Sequence, residues 1–202
     1  MYKRQIVKLA NELKFALIPR GGGSGMTGGA VPARRRSVIV SMTRMQSISS
    51  IDLEAMTVTC QSGCITQDVI NAVNRAGALF SVDPASKLAS SIGGNVSENA
   101  GGPMAFEYGT TIDNLLWWRM VTPTGEIISV ERENHPRHKI LPDETAVFVV
   151  KDVSGGVRNV VRLKGDEIRR TGLGKDVTNK VLGGLPGVQK EGTDGILSLI
   201  HI

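Results

Sequence analysis

The run Gly23-Ser24-Gly25-Met26-Thr27-Gly28 is the stretch of this 202-residue chain best suited to chemistry. It fits G-x-G-x-x-G, a spacing that brings backbone N–H groups against a phosphate. A dinucleotide fingerprint also needs a helix after the glycines, because the pyrophosphate meets the helix N-terminus. Here Gly29-Ala30-Val31-Pro32 lead to a second apolar run instead. A Walker loop would need Lys-Ser or Lys-Thr after the glycines, and neither follows. Two readings stay open. One is a flexible linker, although linkers rarely join two apolar strands this closely. The other is a nest of successive N–H groups that holds an anion without a helix. Glycine suits the nest, since it permits positive φ and close approach of phosphate oxygens.

Other reactive residue types carry weaker signals. Cys60 and Cys64 have no His or Cys companions at metal-ligand spacing, so both read as small buried hydrophobes. His135 and His138, in Asn-His-Pro-Arg-His, lack a third ligand and read as polar loop residues. No metal site and no catalytic residue is assigned. Trp117 and Trp118 alternate across a strand, so at most one faces the core. Met42 and Met45 read as packing residues, and Arg34-Arg35-Arg36 as a solvated loop end.

Composition bounds the function. The chain is 41% hydrophobic and 4% aromatic, too poor in rings for a stacking platform on single-stranded nucleic acid. Two cysteines exclude a disulfide scaffold and make a reducing cytoplasm the expected compartment, any membrane association being carried by the rest of a larger parent. No run approaches the ~18 apolar residues of a membrane span. The termini are unusual. Residues 1–5 back-translate, with GTG as the start codon, to GTGTATAAGAGACAG, whose reverse complement reads Leu-Ser-Leu-Ile-His, the sequence of residues 197–201. The expectation is that residues 1–5 and 197–202 are scars of a DNA-fragmentation adapter and that the chain is an internal piece of a longer protein. Setting them aside removes Lys3 and Arg4 and lowers the net charge from +5 to +3, too little to invoke nucleic acid or an anionic membrane.

The elements that must position these residues follow from periodicity. Ile6, Val7, Leu9, Ala10 and Leu13 recur at helical spacing. Strands are expected over 15–19, 37–42, as a pair within 48–61, and over 78–82. Thr66 is expected to cap a helix over 67–75 that Gly77 ends. Thr122-Pro123-Thr124-Gly125 and Ser154-Gly155-Gly156 each mark a hairpin, and a short helix is expected over 176–182. Helix and strand first and strands later indicate an α+β fold with a mixed or antiparallel sheet.

A second glycine-rich segment, Ser90-Ser91-Ile92-Gly93-Gly94-Asn95-Val96-Ser97-Glu98-Asn99-Ala100-Gly101-Gly102, lies between Asp83-Pro84-Ala85-Ser86 and Tyr108-Gly109-Thr110-Thr111. With Pro19-Arg20-Gly21-Gly22-Gly23-Ser24-Gly25 before it and Glu191-Gly192-Thr193-Asp194-Gly195-Ile196 after it, the chain resembles the FAD-binding domain of the vanillyl-alcohol oxidase (PCMH) type of FAD-linked oxidases. The spacing is most similar to the D-lactate dehydrogenase and glycolate oxidase branch.

The resemblance covers residues 6–196 and implies two α+β subdomains, 6–61 and 62–196, clasping FAD and incomplete at both ends. It implies that the backbone of Arg20, Gly21, Gly22, Gly23, Ser24, Gly25 and Met26 wraps the pyrophosphate. Gly93, Gly94, Asn95 and Gly101 would lie along the flavin, with hydrogen bonds from Ser91, Ser97 and Asn99 and with Pro84 near the ring. Gly192, Gly195 and Ile196 would close over it. The first loop has no His, so FAD would be held non-covalently.

The parent would oxidise a small 2-hydroxy acid by hydride transfer to the flavin, with substrate residues lying beyond this chain and the electron acceptor unassigned. Sugar-alcohol, enolpyruvyl or ether-lipid flavin chemistry, or a non-catalytic nucleotide-binding module, are the alternatives. The stretch 133–170 exceeds the family's length. Its hairpin would cover a sheet edge or dock against another part of the protein.

Overall fold

A computed structural model describes residues 2–170, 177–178 and 184–202. Helix α1 (Tyr2–Leu13) buries Val7 and Ala10 of the five apolar residues at helical spacing, while Leu9 and Leu13 stay about half exposed. Strands β1 (Ala16–Arg20) and β2 (Ser37–Ser41) pair in parallel, Ile18 opposite Ile39. Parallel neighbours need a crossover of about a dozen residues or more. Here the glycine loop supplies it, with no helix between the strands.

Strands β3 (Ile48–Asp52) and β4 (Thr57–Gln61) form the expected antiparallel pair. Helix α2 (Thr66–Arg75) follows, then short helices α3 (Ile92–Glu98), α4 (Ala105–Tyr108) and α5 (Thr111–Asn114). The two hairpins stand where the turn signals put them. They are β5 (Trp117–Val121) with β6 (Ile127–Glu133), and β7 (Thr145–Asp152) with β8 (Val157–Lys164). Helix α6 (Gly165–Ile168), β9 (Arg169–Arg170) and β10 (Val177–Thr178) come next, and β11 (Ile196–His201) closes the chain.

One seven-stranded antiparallel sheet runs in the order β3-β4-β11-β5-β6-β7-β8. Its core packs Trp118, Phe148, Met120 and Ile200 against Val69 and Val73 of α2, Ile92 and Val96 of α3, and Ile112 of α5. The Trp118 ring meets Phe148 at 5.9 Å and donates its N–H to the Pro186 carbonyl at 3.0 Å. Trp117, on the other face, stacks on His201. A smaller cluster of Val7, Met42, Val121 and Ile196 joins α1 and the β1–β2 pair to the large sheet.

Several elements differ from expectation. Residues 78–82 form no strand; Phe80 and Val82 are buried without a ladder partner. Thr66 begins α2 rather than capping it. Its hydroxyl turns inward to the Ser90 carbonyl at 3.0 Å and accepts from Asn95 Nδ2 at 2.8 Å. The expected division after residue 61 cuts the large sheet, because β3 and β4 are bonded into it; the sheets themselves separate between β2 and β3. The helix expected over 176–182 lies outside the described residues except at Val177–Thr178, which pair with Arg169–Arg170. Residues 197–201, set apart in the sequence reading, form the strand between β4 and β5, paired to both, with a register shift between Leu197 and Leu199 on the β5 side.

Candidate functional site

Three segments meet around a cavity of about 360 Å3: the loop after β1, residues 85–100, and residues 191–197. Among the described residues, no hydrogen bond is donated by the backbone N–H of any residue from 21 to 26. Helix α3 is different. Its Ile92 N–H donates to Cys64 O at 2.8 Å, that of Gly93 to Ser62 O at 2.8 Å, and that of Gly94 to the Ser91 hydroxyl at 3.1 Å. The protein itself therefore consumes the helix end, and the loop is what remains for an anion.

The glycines fit this cradle for two separate reasons. Gly22 has no positive φ; a Cβ there would stand 1.7 Å from the Ala89 carbonyl oxygen, so any side chain would push the first loop off the second segment. Gly23 has φ +68°, the left-handed region that non-glycine residues avoid. The expectation of positive φ holds at one of these two positions, and close approach explains the other.

Of the residues singled out by sequence, 21–26, Ser91, Gly93, Gly94, Asn95, Ser97, Gly192 and Gly195 line the cavity. Arg20 does not; its guanidinium lies against Gly23 on the outside of the loop. Pro84 sits in a turn whose carbonyl accepts from Lys87 N–H, and Ala85 and Ser86 face the cavity in its place. Asn99 takes a left-handed conformation at the end of α3, and its Oδ1 accepts from Ile112 N–H at 2.9 Å. Its side chain holds the fold rather than the cavity. Gly101 packs toward Ala105, and Ile196 is buried in the smaller core cluster. Asn95 lines the cavity, but its amide is bonded to Thr66.

Ser62, Met42 and Glu98 also line the cavity and carried no signal of their own. Glu98 sits one turn from Gly94 on α3, a face visible only once that segment is known to be helical. Its carboxylate lies 3.4 Å from the Thr27 hydroxyl.

The titratable groups point away from catalysis here. His135 donates from Nε2 to the Asp113 carbonyl at 2.6 Å and accepts the Arg137 N–H at Nδ1, 2.9 Å. Burial and the Arg132 charge hold its pKa down at about 4, so it is a neutral staple. His201 bonds Thr59, and no His lines the cavity. Cys60 and Cys64 are free and buried; the Cys64 thiol donates to the Ser47 carbonyl at 3.4 Å, and its proximity together with burial pushes the Cys60 thiol up. Asp194 accepts from Gly187 N–H at 2.8 Å, and burial raises its carboxyl.

A cradle lined by small residues, with a run of undonated N–H groups on one side, fits an extended ligand carrying phosphates. Residues 4–131 match the model of an FAD binding domain. The chain belongs to this family. FAD is accordingly its cofactor, and the first loop and second glycine-rich segment both lie inside the match. The chain is 40% identical over 125 residues to the D-lactate dehydrogenase of Anaerostipes hadrus, an alignment covering 62% of this chain and 26% of that protein. It is 37% identical over 124 residues to glycolate oxidase subunit GlcD of Bacillus subtilis, covering 61% and 26%. With the mitochondrial D-2-hydroxyglutarate dehydrogenase of Arabidopsis thaliana it shares 30% over 157 residues, covering 74% and 28%.

The chain thus matches about a quarter of the length of these relatives. The fold is that of an alkyldihydroxyacetonephosphate synthase (TM-score 0.63, 22% identity, 99% of this chain and 29% of that one). It is also that of 6-hydroxy-D-nicotine oxidase from Arthrobacter nicotinovorans (TM-score 0.60, 18%, 99% and 33%). No helix among the described residues is long and apolar enough to cross a membrane.

Proposed function

We propose that this chain is the cofactor-holding part of a flavin-dependent dehydrogenase or oxidase acting on a small 2-hydroxy acid of the D-lactate, glycolate or D-2-hydroxyglutarate type. The observation that carries the reading is the undonated N–H run of residues 21–26 facing the second glycine-rich segment. Relatives named for three 2-hydroxy acids support the substrate class. When bound, FAD supplies the two-electron acceptor; the protein supplies grip and orientation. Residues 21–26 would bind the diphosphate through backbone N–H groups. Ser91 and Ser97 would offer hydroxyls, and Gly192 and Gly195 would close the cavity without side chains. The two free, buried cysteines suit a reducing compartment such as the cytoplasm.

Proton abstraction from a substrate hydroxyl needs a base within about 2.6–3.2 Å. No His lines the cradle, both ring nitrogens of His135 are engaged, and the two carboxylates on its walls lie against the first loop, Glu98 beside the Thr27 hydroxyl and Glu191 beside Gly29. The base would then belong to sequence outside this chain, and the chain alone would bind FAD without turning over. The test is an assay with D-lactate, glycolate and D-2-hydroxyglutarate, added FAD and an artificial electron acceptor, on this chain and on the product of the extended gene. Turnover by the extended product only is expected. Turnover by this chain that disappears in His135→Gln would overturn the reading.

A further inference from the structure

Among the described residues a second cavity exceeds the flavin cradle in volume. A cleft of about 570 Å3 opens at the other end of β4 and β11. Ser62, just past the end of β4, lines the cradle, whereas Thr57 at its start lines the cleft. At ~3.3 Å per residue the two lie roughly 16 Å apart along the strand. Small-molecule sites typically span about 300–1,000 Å3, with mostly apolar walls and a few converging polar groups. This cleft has that composition. One wall gathers Leu53, Met56 and Leu79, three large apolar side chains that are each about half exposed. The facing wall comes from the 133–139 loop, part of the stretch to which the flavin reading gives no role.

That loop is built to present positive charge. His135, held neutral between the Asp113 carbonyl and the Arg137 N–H, pins the turn. Arg137 follows with φ +63°, and its guanidinium makes no ion pair or hydrogen bond among the described residues. Arg132 spends one terminal nitrogen on the Asp113 carbonyl at 2.7 Å. Its Nε is buried with no hydrogen-bond partner. A buried donor without a partner is costly, and a ligand acceptor that reached it would recover that cost. Two carboxylates lie on the cleft's walls: that of Asp52 is turned to its own loop, accepting from the Glu54 and Ala55 N–H groups, and the terminal one of Ile202 accepts the Val58 N–H at 2.7 Å.

We propose that this cleft is a second binding site, for a small organic carboxylate with an apolar body. The head group would take the charged hydrogen bonds of Arg132 and Arg137, and the body would cover Leu79 and Met56. The site is independent of the flavin reading, since its walls share no residue with the cradle.

The test uses the FAD-saturated chain carrying 13C-methyl methionine, titrated with 4-phenylbutyrate and with its neutral amide. Met56 reports on the cleft and Met26 on the cradle. The Met56 methyl resonance should shift saturably with the acid while Met26 stays still. The amide should bind at least tenfold more weakly. Arg137→Asn, which keeps a residue tolerant of the left-handed backbone, should weaken the acid about tenfold, and Leu79→Glu should abolish binding. Both side chains are exposed, so the methyl spectra of the variants should otherwise match the parent. No shift at Met56, equal binding of acid and amide, or indifference to both substitutions would each overturn the proposal.

Discussion

A single methyl group separates a working cradle from a blocked one at Gly22. The Ala89 carbonyl lies where its Cβ would go, and that contact is backbone on both sides, so neither partner can rotate away. Gly22→Ala should therefore weaken FAD binding at least tenfold, about 1.4 kcal/mol, measured by flavin fluorescence titration. Gly28 is the control. It has φ +90° but open space around the missing Cβ. Gly28→Ala should cost about 1 kcal/mol of stability and leave FAD affinity nearly unchanged.

Asp113 is the corresponding residue for the fold. Its carboxylate pairs with buried Arg169 and accepts from the Ile140 and Thr110 N–H groups, while its carbonyl takes Arg132 and His135. Asp113→Ala leaves Arg169 buried without that charge, and should lower the unfolding free energy by roughly 3–5 kcal/mol in a urea melt.

Helix α3 shows what local composition conceals. Ile-Gly-Gly-Asn is a poor helix former, and the segment reads as loop from its residues alone. It becomes helical because Ser91 caps it and because Ile92 and Gly93 donate across to Cys64 and Ser62, partners distant in sequence. Ser91→Ala should cost about 1 kcal/mol by thermal or urea melt and weaken FAD, since the cap fixes the segment facing the loop.

The hairpins were legible because Thr-Pro-Thr-Gly and Ser-Gly-Gly fix a local turn between apolar runs, and Asp152 then locks the second turn through the Ser154 and Gly156 N–H groups. The first glycine loop was legible as a candidate cradle for a similar reason, since its glycines act locally, and it does line the cavity. What could not be read depends on distant partners. Residues 78–82 have the apolar content of a strand and no sheet beside them. Glu98 enters the cavity only through the helical turn. Asn99 looked like a ligand group and is spent on Ile112.

At the scale of the molecule, one large sheet and one parallel pair meet through the small cluster of Val7, Met42, Val121 and Ile196, and the cradle opens where they meet. The β6–β7 loop couples this body to pH. The pKa of His135, about 4, lies below its unfolded value of about 6.5, so between these values the unfolded chain binds more protons. The stability that His135 contributes is full above about pH 6.5 and falls as pH drops toward 4. Urea midpoints across that window should decline, and His135→Asn should flatten that part of the slope; an unchanged slope would remove His135 from the account.

The central claim is that backbone N–H groups of the first loop grip the diphosphate of FAD, and comparing FAD with riboflavin tests it most directly. The two share the flavin ring and ribityl chain, and only FAD carries the diphosphate. Hydrogen bonds to charged groups contribute about 1.5–3 kcal/mol each. Flavin fluorescence titration of this chain should give FAD at least a hundredfold tighter than riboflavin, with ADP competing for the site. Equal affinity for the two flavins, or no competition by ADP, would contradict the account.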